Sequence, residues 1–262
     1  YEREGAVFFV EVLYLRALKY AAVMAEAIGD GDNAAEWRRR LRSGIEIMNR
    51  PVADGGLYLP EYGHFADTVT KHTDVHPNGY TYPDEIDETT VMTAFRPMPH
   101  AIALTEHFIT DDDVRREVIR FYHRYPILRP FPALVQYPWY DFMGNEGLGG
   151  EYETTLFRDK WKALPGNQAT GGRWPFAAGL ILRSMWDSDE EDAGTEAFHA
   201  LAAWTTLARH PARVLEDSHS SGLFRDESGS AIDTEGFYYN WGSAVPLEAV
   251  VEGRYGIVPI PE

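Results

Sequence analysis

The chain reads as an all-α protein, an α/α barrel or toroid assembled from helical hairpins and left incomplete, with its long loops at one end. Two observations point there. The first is a contrast between connections. Short acidic turns at residues 29–33, 110–113 and 187–194 alternate with long connections at 51–96, 125–172 and 210–242. Connections in a compact domain run about 4–6 residues, and structureless loops beyond ~15 are usually functional. Helices running alternately down and up would gather the long loops at one end, as an aromatic, carboxylate-rich mouth. The second observation is an alternation of helix type: segments apolar on nearly every face are each followed by a segment with one apolar face.

Taken in order, residues 6–28 (AVFFVEVLYLRALKYAAVMAEAI) are apolar almost all round, which predicts a helix buried on several sides. Gly29 stops it, and residues 30–33 cap the next helix. That helix, 34–49, carries Trp37, Leu41, Ile45 and Met48 on one face and Arg and Glu on the other. Residues 97–109 (PMPHAIALTEHFI) return to the apolar type, with two prolines in the first turn, where a missing N–H costs little. Residues 114–125 are amphipathic and basic. Residues 174–186 (WPFAAGLILRSMW) are apolar again, with Pro175 at a first-turn position, and 195–209 form an Ala-rich helix with a polar side. A fourth apolar helix covers 241–257, while 56–59 and 134–137 predict short extended pieces within the loops. The expected architecture is four inner and three outer helices in a single domain, residues 1–262. A helical solenoid would show short repeats and even loops, which these connections do not match.

Composition narrows the function. The formal charge is −17, from 41 acidic against 24 basic residues, which argues against a nucleic-acid partner. Lys19, Lys71, Lys160 and Lys162 are the only lysines, so Arg carries most of the positive charge. No stretch is long and apolar enough for a membrane span; residues 6–28 come nearest and are interrupted by Glu11, Arg16, Lys19 and Glu26. Cysteine is absent, which excludes disulfides, thiolate metal sites and a Cys nucleophile and is compatible with either side of a membrane. The opening Tyr1-Glu2-Arg3-Glu4 reads as a cut through a longer polypeptide.

The loops hold the residues that suit a binding mouth. Residues 125–172 carry Gln136, Tyr137, Trp139, Tyr140, Asp141, Asn145, Glu146, Glu151, Glu153, Asn167 and Gln168, followed by Arg173 and Trp174. Aromatic faces stack on sugar C–H faces, and amides and carboxylates bind hydroxyls, a mixture common in small-molecule pockets. Trp174 and Trp241 each stand at the mouth-side start of an inner helix and are expected to touch sugar, whereas Trp139 and Trp161 could equally pack the loop onto the barrel. Residues 82–88 (YPDEIDE), with Glu85, place carboxylates close enough to raise one another's pKa, as a proton donor requires, or else form a charged helix cap. His64, His72 and His76 share a loop with Asp67 and Asp74, but their spacing matches no standard zinc site. Residues 147–150 (GLGG) follow no buried strand and so make no phosphate loop.

Residues 9–50 (beginning FVEVLYLRALKYAAVMAEAIGDGDNAAEWRRRL), 171–180 (GGRWPFAAGL), 221–229 (SGLFRDESG) and 235–259 (EGFYYNWGSAVPLEAVVEGRYGIVP) resemble, in order and spacing, the C-terminal part of the six-hairpin glycosidase barrel. That superfamily includes glucoamylases, trehalases, mannosylglycerate hydrolases, glycogen-debranching glucosidases and α-L-rhamnosidases, with related disaccharide phosphorylases. The resemblance implies a glycoside hydrolase, inverting, acting on an α-linked glycoside through two carboxyls and without a cofactor or metal. Its partner would be a carbohydrate. Inversion sets the two carboxyls about 6.5–9.5 Å apart, one donating a proton and one activating water. In such barrels the general base lies in the loop before the last helix, here 210–240, whose carboxylates are Glu216, Asp217, Asp226, Glu227, Asp233 and Glu235. GLFRDESG resembles the place where relatives carry that base, which implies Glu227, then Asp226, with Glu235 close behind. Counting helices backwards makes 6–28 the sixth, so the general acid is expected upstream of Tyr1, with Glu2 and Glu4 nearest it.

Three rival readings stay open. A polysaccharide lyase on a similar toroid would need a His or Tyr proton abstractor, for which His100, Tyr80 and Tyr239 are available, and Arg173 to neutralise a uronate. The acidic mouth disfavours such a polyanion. A disaccharide phosphorylase would need a phosphate pocket that the sequence does not display. The third is a non-catalytic carbohydrate-binding or scaffold fragment.

Overall fold

The computed structural model describes residues 6–71, 89–124, 127–128, 133–134, 173–188, 190–207 and 241–257. Within them the chain is mostly helical, with seven α-helices and three small antiparallel sheets. None of these helices is long and apolar enough to cross a membrane. Two compact units divide the chain: Tyr1–Phe95 with Glu106–Val118, and Arg96–Thr105 with Ile119–Glu262.

The first unit is built on a helical hairpin. Strand β1 (Ala6–Val7) leads straight into α1 (Phe8–Ala27), and α2 (Gly31–Met48) returns after a turn at 28–30. Gly29 takes φ 80 in that turn, a conformation that costs a side-chain-bearing residue roughly 1 kcal/mol or more. Asp30 then caps α2, its Oδ1 accepting from the Asn33 N–H at 3.2 Å. Strands β2 (Tyr58–Leu59) and β3 (His64–Phe65) form a small hairpin. Strand β4 (Thr68–Lys71) lies between β1 and β5 (Thr89–Met92), pairing Ala6 with Val69 and Thr68 with Met92. These ladders are too short to show a two-residue period, so the sequence predicted only the Gly56–Leu59 part of them, as an extended piece.

Helix α1 buries Phe8, Val12, Leu15, Leu18, Ala22 and Ala25, one face at helical spacing. Phe8 stacks on Phe65 with ring centroids 5.0 Å apart. Against α1, α2 turns the face of Leu41, Ile45 and Met48 that its periodicity predicts, and Gly44 permits the approach: a Cβ there would stand 2.5 Å from Leu15 Cδ2. The expectation that α1 is covered on several sides is corrected. Val10, Leu13, Tyr14, Tyr20, Val23 and Met24 are exposed, because the covered face is a single stripe. The unit also contains the first part of α4 (Asp112–Arg124), capped by Asp111, whose Oδ1 accepts from the Asp113 and Val114 N–H groups at 2.8 and 3.1 Å.

In the second unit, α3 (Pro97–Thr105) and α5 (Pro175–Trp186) are buried on nearly all sides, as their composition predicts. Helix α5 is central and packs against α3, α6 (Glu191–Leu207) and α7 (Trp241–Glu248). Its Ile181, Leu182 and Met185 are fully buried, and each such side chain contributes about 1.5–3 kcal/mol of transfer free energy. A two-stranded ladder of β6 (Ala133–Leu134) and β7 (Arg173–Trp174) precedes α5, pairing Ala133 with Trp174. Helix α7 continues as a π-helical stretch, Ala249–Arg254, instead of one regular helix to 257. Pro246 inside α7 lacks the N–H a regular turn needs.

The α3 boundary also differs from expectation. The helix ends at Thr105 rather than 109, and His107 adopts φ 60. The residues that follow serve the first unit. There Glu106 accepts from Arg16 Nε at 2.9 Å and Lys19 Nζ at 2.7 Å, and Phe108 and Ile109 are buried. Phe108 O also accepts from Asn49 Nδ2 at 2.7 Å. Those contacts outweigh the roughly 1–3 kcal/mol of a left-handed non-glycine residue.

Candidate functional site

Four of the described helix starts fall into two kinds. Helices α2 and α4, which follow short turns, are capped by Asp30 and Asp111. Helices α1 and α5 start from the extended residues Val7 and Trp174 with no side-chain cap. In α1 the backbone answers one orphan donor, the Phe8 N–H bonding the Asp67 carbonyl at 3.0 Å. In α5 the first helical residue is Pro175, which has no N–H to satisfy.

In the second unit, α5 and α7 run parallel. A Cβ on Gly179 would lie 2.6 Å from Pro246 N and 2.8 Å from the Val245 carbonyl carbon. One turn further along α5, Arg183 pairs with Glu252 and packs on Gly253, one to two turns further along α7 and its continuation. Ascending contacts on both helices require the same direction. Trp174, preceding α5, and Trp241, the first residue of α7, therefore mark the same end of two neighbouring helices. Trp174 is half-buried, and its indole N–H is enclosed with no acceptor among the described residues. Indole is a donor only, and a buried donor left unanswered costs about 1–3 kcal/mol; the Trp186 indole N–H is likewise without an acceptor among the described residues.

The first unit holds its own buried polar group next to the start of α1. Asp67 has no solvent exposure; its N–H donates to Met92 O at 2.8 Å while its carbonyl holds Phe8. Both bonds are main-chain ones, and they tie the sheet to the start of the helix. Thr68, beside it, keeps a buried hydroxyl with no partner among the described residues. His64 packs edge-on against Phe95 at 5.4 Å and near Tyr62 at 5.8 Å. Its Nδ1 lies 2.9 Å from the Phe65 carbonyl, which fixes Nδ1–H as the donor. Burial pushes the imidazole below its ordinary value of 6.5, the Phe65 bond and Glu61 opposing that only in part.

Of the sequence-predicted residues, Glu227, Asp226, Glu235, Trp139, Tyr140, Asn167, Gln168 and Glu85 lie outside the described residues. The backbones of Arg173 and Trp241 are described: Arg173 opens β7, a strand the sequence did not predict, Trp241 opens α7 as expected, and Trp174 stands directly before α5. His100, the abstractor of the lyase reading, is fully buried with Nδ1 2.6 Å from the Arg96 carbonyl, which it serves as a donor. Among the described residues no group of three His, Asp or Glu is placed to hold a metal ion. Asp67 was legible only as a possible metal partner of His64; a lone acid inside an apolar run (FADTV) was the available sign of a buried carboxylate. No family model matches the chain, and a search of curated proteins finds no significant match.

Proposed function

We propose that the chain is a glycoside hydrolase of the α/α hairpin toroid type, inverting and acting on an α-linked neutral glycoside. The observation that carries this reading is the parallel pair α5 and α7, each beginning at a tryptophan where a long connection arrives, with α6 returning from α5 through a short turn. Inner helices of a hairpin barrel run in this way, and Trp174 and Trp241 both stand at one end of the pair. The buried indole N–H of Trp174 suits a sugar hydroxyl or ring oxygen as its acceptor. In this reading Glu227, with Asp226 and Glu235 as its neighbours in the same loop, takes a proton from water, and a second carboxylic acid protonates the leaving oxygen. Arg173, Asn167, Gln168 and Glu85 bind hydroxyls, and Trp139 and Tyr140 extend the aromatic wall. The chemistry runs on carboxylates alone.

The test is a panel of α-linked disaccharides and aryl α-glycosides, assayed with the chain in its natural polypeptide. Glu227→Gln is expected to lower kcat by about 10²–10⁴, the usual contribution of a general base. Trp174→Ala should instead raise KM by about tenfold, as losing ~1.5 kcal/mol of aromatic contact would. Hydrolysis untouched by Glu227→Gln removes the base assignment, and release of unsaturated sugars would show a lyase.

A further inference from the structure

Charge on the described surface is answered unevenly. Exposed arginines are tied to carboxylates: Arg39 and Arg40 share Glu36, Arg50 pairs with Glu46 and Arg116 with Asp113. Arg39 holds Glu36 through two bonds, from Nε and Nη2, each 2.8 Å long, the planar fork that lysine lacks. Of the α2 arginines only Arg42 is without such a partner among the described residues. Carboxylates, by contrast, are left over. Asp32, Asp54, Glu61, Asp112, Asp192 and Glu248 are exposed and enter no ion pair among the described residues.

The whole sequence repeats the imbalance, with 41 acidic residues against 24 basic ones and only four lysines among the latter. The short turns at 29–33, 110–113 and 187–194 hold two, three and five carboxylates and no basic residue. Local structure accounts for some of these, because Asp30 and Asp111 cap helices and acids in a first turn favour a helix start. Asp54, Glu61 and Glu248 start no α-helix and have no such role. Salt acts on both halves of this charge pattern. An exposed pair contributes little, so screening it costs little. The surplus carboxylates repel one another across the whole molecule, and that self-repulsion destabilises a compact state, so screening it is the larger effect.

We propose that this fold is adapted to a medium of molar monovalent salt, in which unpaired surface carboxylates keep it soluble and the screening of their repulsion helps hold it folded. The Debye length falls from about 10 Å at 0.1 M to about 3 Å at 1 M, so repulsion between carboxylates on neighbouring elements is still being removed across that range. Stability therefore rises well beyond 0.1 M salt, the reverse of a surface held together by ion pairs.

Urea unfolding of the protein at a series of KCl concentrations tests this, since urea is uncharged and leaves the ionic strength free to vary. The expected result is a midpoint that rises by about 1 M urea or more between roughly 0.05 M and 1 M KCl. Two triple variants separate screening from a general effect of the salt on burial. In the first, Asp54→Asn, Glu61→Gln and Glu248→Gln remove three exposed, unpaired charges. It should start with a higher midpoint at low salt and gain less from KCl. In the second, Asp54→Glu, Glu61→Asp and Glu248→Asp keep the charges, and the rise should match that of the native protein. A midpoint that stays level or falls as KCl is raised would overturn the proposal. An equal rise in the native protein and the neutralised variant would overturn it too, because the salt would then act through something other than these charges.

Discussion

His64 shows how a single residue's surroundings set a measurable property. It is enclosed by Tyr62 and Phe95, and its ring is held neutral because burial penalises the imidazolium. Its folded pKa lies below the unfolded 6.5, so above 6.5 neither state gains a proton and the packing contribution is intact. As pH falls below 6.5 toward the folded value, the unfolded chain binds a proton that the folded chain refuses, and stability is lost. Urea midpoints should therefore fall between about pH 7 and pH 5, and His64→Gln should flatten that part of the profile. Glu36 behaves oppositely in cause: hydrogen bonds from Arg39 and then Arg40 hold its carboxyl down at about 2, so it stays charged across that range. At this scale the sequence was partly readable. The caps Asp30 and Asp111 and the N1 position of Pro175 follow from local chemistry, whereas burial of Asp67 and the tautomer of His64 depend on partners distant in sequence.

At the scale of elements, glycine positions separate close packing from free surface. At Gly179 a Cβ would press on backbone atoms of Val245 and Pro246, which cannot move aside as a side chain would. Gly179→Ala gains up to about 1 kcal/mol of helix propensity and loses about 1–3 kcal/mol to overpacking. The expected net is a destabilisation of about 1 kcal/mol, read as a lower urea midpoint. Gly31, in the first turn of α2, has open space around its Cβ position and an ordinary backbone conformation. Gly31→Ala should accordingly stabilise by about 0.4–1 kcal/mol in the same measurement. Helix type and order were legible because apolar-all-round and one-faced segments differ in periodicity over many residues. The end of α3 was not, since the Glu106 ion cluster with Arg16 and Lys19 decides it from far along the chain. Nor was the bare face of α1, because an apolar pattern is the same whether a neighbour covers it or not.

At the scale of the molecule, the alternation of short turns and long connections gave the hairpin order, and the described helices follow that order. In the second unit Trp174 and Trp241 stand at one end of parallel helices. The base loop, 210–240, lies outside the described residues, so its chemistry rests on the carboxylates of the sequence itself. Central to the account is an inverting carboxylate mechanism with Glu227 as base. The most direct test follows the first-formed anomer by proton NMR as an α-linked substrate is hydrolysed, for the native protein and for Glu227→Gln. The account predicts that the native protein releases the β-anomer first and that Glu227→Gln releases neither at a comparable rate; initial release of the α-anomer, or full activity in Glu227→Gln, would contradict it.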